Sequence, residues 1–336
     1  MWRVYSDITQ VSSTRYGILD SVDPTYSEVG FRRPHVGRGE YARRESSVKY
    51  PVCARVLGPL TLALNNRNAT PTAQKQRQLL ALLLVRHSTV VPVSTLIEEL
   101  WSDDPPRSAV AIIQTYVLGI RKKMAEQLDI GQAEVAERFL CTRSKGYSFE
   151  VKDCVFDLRN YRSMSDAARV AAKAGDDHRA VDLFLAAEAC WTGPALVDVE
   201  AGMPLAAEIS HLDHLRLTNI ELRIEAELRL GRHRELCPDL ARLTMQHPLD
   251  ERLQAYYMFA LSRSGQRHLA LSSYQQFCKA MQHELGLDPC MKLQKLHQDI
   301  LAASDERVGM MLERKHAGYL IGFHSPAGQA ASATPA

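Results

Sequence analysis

After Asp157 this chain of 336 residues shows no strand pattern, and that restricts its fold more than any other feature. Apolar residues recur there at helical period over 157–174, 177–191, 203–230, 233–246, 249–264, 267–285 and 289–303. Each helix has one apolar face, so the set must bury those faces by stacking. A repeat sharpens this. Gly175, His178, Ala180 and Phe184 recur as Gly265, His268, Ala270 and Tyr274, and Gly231 and Gly265 lie 34 residues apart. That spacing is the tetratricopeptide period, and small residues at such positions are expected to let paired helices approach closely. Trp191-Thr-Gly-Pro-Ala-Leu196 interrupts the helices with a Gly-Pro turn, and Trp191 is expected to pack in the core.

Upstream the pattern differs. Residues 53–64 alternate apolar with small or polar residues around Gly58-Pro59, as in a hairpin, and Asn65-Asn66-Arg67-Asn68 reads as a turn. Helices are expected from Ala73 to His87 and from Val93 to Trp101, the second with Leu96, Ile97, Leu100 and Trp101 inward. Residues 125–137 are polar and acidic and read as a loop. Residues 139–143 and 147–151 then alternate as two strands joined by Ser144-Lys145-Gly146, with Gly146 placed for a positive φ. Hairpin, three helices, hairpin is the order of a winged helix, with Arg143 and Lys145 at the tip of the wing.

The third of these helices is expected over 104–124. Asp104 reads as its N-cap, and Pro105 and Pro106 suit a first turn. Ala109, Ile113, Tyr116, Val117, Ile120 and Met124 share one face. Arg107, Ser108, Ala111, Thr115, Leu118 and Lys122 share the other, a division that suits a helix lying in a major groove. The plainer reading is a surface helix whose basic end suits its macrodipole.

Charge supports a division of labour. Residues 51–147 hold twelve Lys/Arg against eight Asp/Glu, and residues 154–305 hold seventeen against twenty-one. A basic segment before an acidic one suggests that only the first meets a polyanion. Residues 1–50 carry little apolar period and read as a disordered extension, with the Arg32–Arg44 cluster as solvated charge. Residues 306–336 read as a flexible tail. The domains expected are therefore 51–152 and 154–305. Seven scattered cysteines without a Cys-x-x-Cys pair fit a reducing cytoplasm, and no apolar run approaches a bilayer span.

Enzymatic chemistry finds no support. There is no phosphate loop, dinucleotide fingerprint or Gly-x-Ser-x-Gly elbow. His211 and His214 lack further ligands at a metal-binding spacing, and Asp103-Asp104 and Asp176-Asp177 precede helices as caps. No cofactor, metal or catalytic residue is expected. For DNA, phosphate contacts fall to Lys75, Arg77, Arg121, Lys122, Arg143 and Lys145. Base-edge contacts fall to Arg107, Ser108, Thr115 and Leu118, with Gln114 at the edge.

Many motifs, in order over about residues 53–303, resemble one family. Lys75-Gln-Arg-Gln-Leu-Leu, Leu96-Ile-Glu-Glu-Leu-Trp101, Gln114-Thr-Tyr-Val-Leu-Gly-Ile-Arg-Lys-Lys-Met124 and Gly146-Tyr147 are similar to the Streptomyces antibiotic regulatory protein family. Trp191–Leu196, His247-Pro-Leu-Asp-Glu-Arg252, Ala260–Gly265, Ala270–Tyr274 and Glu284-Leu-Gly-Leu-Asp-Pro289 resemble its bacterial transcriptional activator domain. The resemblance implies a mostly α protein, a winged helix-turn-helix followed by an all-α tetratricopeptide-like domain. It implies a cytoplasmic, nucleoid-associated activator of secondary-metabolite genes. Its partners would be direct repeats in double-stranded promoter DNA and RNA polymerase holoenzyme, with paired monomers self-associating on the repeats and no membrane involved. By position, the third helix reads bases and the wing at Arg143–Gly146 meets the backbone or minor groove. One departure stands out. Many members carry a polar residue and an arginine where this chain has Leu118-Gly119. A protein-interaction adaptor without specific DNA binding is the alternative.

Overall fold

The computed structural model describes residues 52–152 and 154–302, so the expected extension and tail lie outside the described residues. Three short strands come first: β1 (Val52–Arg55), β2 (Thr61–Leu64) and β3 (Arg67–Asn68). β1 and β2 pair antiparallel and turn Val52, Ala54, Leu62 and Leu64 inward. Asn65 and Asn66, at φ 49° and 59°, make the two-residue turn into β3, a backbone that asparagine tolerates well. The expected four-residue turn is thus half turn and half strand.

α1 (Gln74–Val85), β4 (Val91–Pro92), α2 (Val93–Trp101) and α3 (Ala109–Leu128) follow. Then come α4 (Gln132–Arg138), β5 (Leu140–Arg143) and β6 (Gly146–Phe149). β5 and β6 form the wing hairpin, and β4 extends it into a sheet of order β4-β6-β5. Finally β7 (Cys154–Phe156) runs parallel to β1 and completes a sheet of order β3-β2-β1-β7.

Three expectations need correcting here. Asp104 is not the cap of α3. The helix starts at Ala109 with Ser108 as its N-cap residue, and Pro105-Pro106 stay outside. A proline disfavours helical backbone in the residue before it, so two in series hold the chain extended until Arg107. Residues 125–137 are not a loop. They finish α3 and form α4, which the single buried anchor Val135 holds to the core. Gly146 does not adopt a positive φ. It is needed because β4 passes close by: a Cβ there would stand 2.0 Å from the carbonyl oxygen of Val91.

The second half is helical: α5 (Asp157–Lys173), α6 (Asp177–Glu188) and α7 (Met203–Arg229) come first. α8 (His233–Gln246), α9 (Glu251–Arg263), α10 (Arg267–Leu285) and α11 (Met291–Ala302) complete it. Local chemistry sets the starts of two of these helices. Asp176 accepts from Arg179 N at 3.1 Å, and Asp250 accepts from Arg252 N at 2.9 Å and Leu253 N at 3.1 Å. The repeat glycines do not serve close packing, since a Cβ on Gly175, Gly231 or Gly265 would meet nothing within 4 Å. Their φ values of 78°, 76° and 78° give the reason, a left-handed helix exit that only glycine adopts freely. The small repeat residues that are packed are Ala180 and Ala270, both fully buried in apolar clusters.

The core does not divide where the strand pattern ends. One apolar cluster runs from β1 through α1–α3 and the wing into Tyr161, Trp191, Leu205 and Leu212. A second begins within α7 at Ile224 and continues to Ile300. Trp191 is buried as expected, edge-on to Tyr161 at 5.6 Å with the Arg216 guanidinium 4.4 Å from its ring.

Candidate nucleic-acid interface

α3 is held by apolar burial along one side. Ile113, Val117, Ile120 and Met124 are buried, Ala109 lies with them, and Tyr116 packs against the same core half-buried. The opposite side is open. Arg107, Ser108, Ala111, Gln114, Thr115, Leu118 and Lys122 are all exposed, and Leu118 stands 56% exposed. Within the helix the face division read from the sequence is the one adopted, while Arg107 and Ser108 lie in the turn just before it.

The polar atoms on this face differ in their freedom. The Thr115 hydroxyl donates to the Ala111 carbonyl at 2.9 Å, which leaves its oxygen as an acceptor. Lys122 lies 4.0 Å from Glu126 with both side chains largely exposed, so the pair holds it weakly. Arg107 and Lys145 have no ion-pair partner among the described residues.

The other candidate cations are engaged. Arg121 donates from Nε and Nη2 to the Leu140 carbonyl at 2.9 and 2.6 Å, and from Nη2 to Thr142 Oγ1 at 2.8 Å. It thereby ties α3 to the wing, and burial pushes its pKa below the usual guanidinium value. Arg143 donates to Ser148 Oγ at 3.3 Å and to Glu150 Oε1 at 3.2 Å, yet its side chain stays half-exposed at the wing. Lys75 donates to the Leu100 carbonyl. Arg77 pairs with Asp198, which follows the Trp191–Leu196 turn. These bonds hold the Lys75 and Arg77 side chains against the protein. Between them Gln76 has no hydrogen-bond partner among the described residues, and its Nε2 lies 3.7 Å from where a Cβ of Gly119 would be.

What holds α3 in place was missed from the sequence. α2 packs between α3 and α7. On it Glu99 is 1% exposed, and its carboxylate accepts from Gly202 N at 2.7 Å, Leu205 N at 2.8 Å and Gln78 Nε2 at 2.8 Å. Gly202 N is the amide of the N-cap residue of α7 and Leu205 N lies in its first turn, where Pro204 has no N–H, so a carboxylate from α2 caps the long helix at its positive end. Gly202 permits the contact, since a Cβ there would stand 2.2 Å from the Glu99 carbonyl oxygen. Asp157 Oδ2 accepts from Val56 N and Leu57 N at 2.9 Å each, and Arg86 meets Glu208 at 2.7 Å. The signal for Glu99 was its place beside Leu96 and Leu100 on the inward side of α2, where a charge is expected only with partners.

His211 is exposed, and His214 Nδ1 lies 2.6 Å from the Ser210 carbonyl on its own helix. No group of three His, Cys, Asp or Glu side chains suited to a metal occurs among the described residues. No helix of the described residues is long and apolar enough to cross a membrane.

Comparison with known proteins fits this geometry. Residues 67–149 match the family described as transcriptional regulatory protein, C terminal, and residues 156–301 match the bacterial transcriptional activator domain. The regulatory protein DnrI of Streptomyces peucetius is 39% identical over 248 residues, which cover 74% of this chain and 91% of that protein. The regulatory protein AfsR of Streptomyces griseus is 33% identical over 75% of this chain, but the match spans only 24% of AfsR. Among solved structures, Mycobacterium tuberculosis EmbR in complex with a low-affinity phosphopeptide superposes with a TM-score of 0.69 at 27% identity. It covers 82% of this chain and 71% of that one.

Proposed function

This chain belongs to the Streptomyces antibiotic regulatory protein family, a family of transcriptional regulators, and from that premise we propose that it is a sequence-specific DNA-binding activator. The observation that carries the reading is the outer face of α3, short polar side chains and Lys122 on a helix fixed by its apolar side and bracketed by a wing. Residues 51–152 form the reading module, and residues 154–305 form the activator module that engages RNA polymerase holoenzyme in the cytoplasm.

Within the module the roles separate. Lys122 and Lys145 supply phosphate contacts, with Arg143 at the wing released from Glu150 on contact. Arg107, Thr115, Gln114, Ser108 and Leu118 face base edges, Leu118 against a thymine methyl. Arg121 acts as a strut between α3 and the wing. Direct repeats in promoters of secondary-metabolite genes would seat two copies side by side.

A mobility-shift series on candidate promoter fragments tests this. Binding is expected to weaken steeply as salt rises, Lys122→Ala to weaken it on every sequence, and Thr115→Ala to change the sequence preferred. If both variants bound the series like wild type, α3 would not be the recognition helix. Salt-insensitive binding to a protein alone would favour an adaptor instead.

A further inference from the structure

We infer that Gln76, on the first turn of α1, is a base-reading residue of the DNA interface and contacts adenine across a notch that Gly119 leaves in α3. The inference rests on the reading of α3 as the recognition helix. Gly119 follows Leu118 on the exposed side, and its φ is not left-handed, so the backbone does not call for glycine. Nor does packing, since the sole neighbour of a Cβ there is the end of the flexible Gln76 side chain at 3.7 Å. The missing side chain is therefore a property of the surface. It lowers the helix wall at one place, and α1 presents a carboxamide at that place.

The surroundings hold Gln76 ready. Lys75 is bonded to the Leu100 carbonyl and Arg77 to Asp198, so the turn is pinned on both sides while the carboxamide between them has no partner among the described residues. Arg121 lies two residues beyond Gly119, a rotation of about 200°. It is bonded to the wing, so the wing flanks one edge of α3 and Gln76 the other. A carboxamide offers one acceptor and two donors, and a bidentate fit to adenine N7 and N6 in the major groove uses one of each.

The full chain, binding a promoter fragment in which each base pair is replaced in turn, provides the test. Gln76→Ala is expected to lose discrimination at one A·T position by about 5- to 150-fold, and to keep it elsewhere. Gly119→Leu, which fills the notch, should lose it at the same position, and the double variant should lose no more than either alone. Gln76→Glu should move the preference there toward C·G, because a carboxylate accepts from cytosine N4. Unchanged thermal melting confirms that each variant is folded. Wild-type preference at every position in Gln76→Ala, or loss at a different position in Gly119→Leu, would overturn the role of Gln76. If Thr115→Ala still shifted preference, α3 would stand as the recognition helix without it. Absence of any sequence preference in wild type would overturn the reading of α3 itself.

Discussion

The outer face of α3 and the junction between α2 and α7 are both rich in polar groups, and they use them in opposite ways. On α3 Lys122 is weakly held, and Arg107, just before the helix, lacks an ion-pair partner among the described residues; both lie in solvent. At the junction, Gln78 donates to Glu99, Glu99 also accepts from two backbone N–H groups of the α7 start, and Glu99 is removed from water. A polar group with satisfied partners fixes geometry. One without them waits for a ligand. The difference explains how the helix can be both rigidly placed and open to an anion.

Variants can widen or erase that contrast. The largest effect belongs to Glu99→Ala, which strands Gly202 N and Leu205 N at a buried site, while Gln78 Nε2 keeps the residue-99 carbonyl as its acceptor. It should cost on the order of 4 kcal/mol of unfolding free energy, read by urea denaturation. A loss below about 1 kcal/mol would mean that the junction is as wet as the outer face. Next comes pH. Burial pushes the Glu221 carboxyl from 4.5 up to about 7, although Arg252 approaches it to 2.9 Å. Neither of its oxygens has an aligned hydrogen bond, so the ion pair offsets burial only in part. The folded chain keeps the proton between pH 4.5 and about 7 while the unfolded chain has released it. This contribution is therefore full below pH 4.5 and lost as pH rises through 7, on the order of 3 kcal/mol in all. In Glu221→Gln that slope should disappear from melting curves taken across the window.

A smaller effect separates cations that look alike in sequence. Arg77→Ala should lower stability by about 1 to 2 kcal/mol through Asp198 and leave the salt dependence of DNA binding unchanged. Lys122→Ala should do the reverse, changing stability by less than about 0.5 kcal/mol and reducing the salt slope by about one unit. If the two variants behaved alike in both measurements, the contrast between engaged and free cations would be lost.

These cases also mark what could be read from the residues. The helices after Asp157 were legible to within two or three residues at their ends, because each has a broad apolar stripe and several have local caps such as Asp176 and Asp250. The two faces of α3 were legible for the same reason. What was not legible depends on distant partners. β7 is three residues long and takes its identity from β1, about a hundred residues earlier. α4 rests on one buried valine. The role of Gly146 lies in the backbone of Val91, and the fate of Arg77 lies in Asp198. A side chain announces its type in the sequence, but its partner 121 residues away does not appear there.

The parallel pairing of β1 with β7 has a consequence for how the protein is made. Val52 lies opposite Cys154, so a ribosome must add 102 residues after Val52 before its neighbour exists. At about 5–20 residues per second that interval lasts roughly 5–20 s. Throughout it the edge of the first sheet stays unpaired, and Leu57 waits still longer for Thr192, whose amide bonds its carbonyl at 2.8 Å. The reading module is synthesised first but completed late, and a nascent chain halted near residue 150 would expose a strand edge that invites pairing with a neighbouring chain.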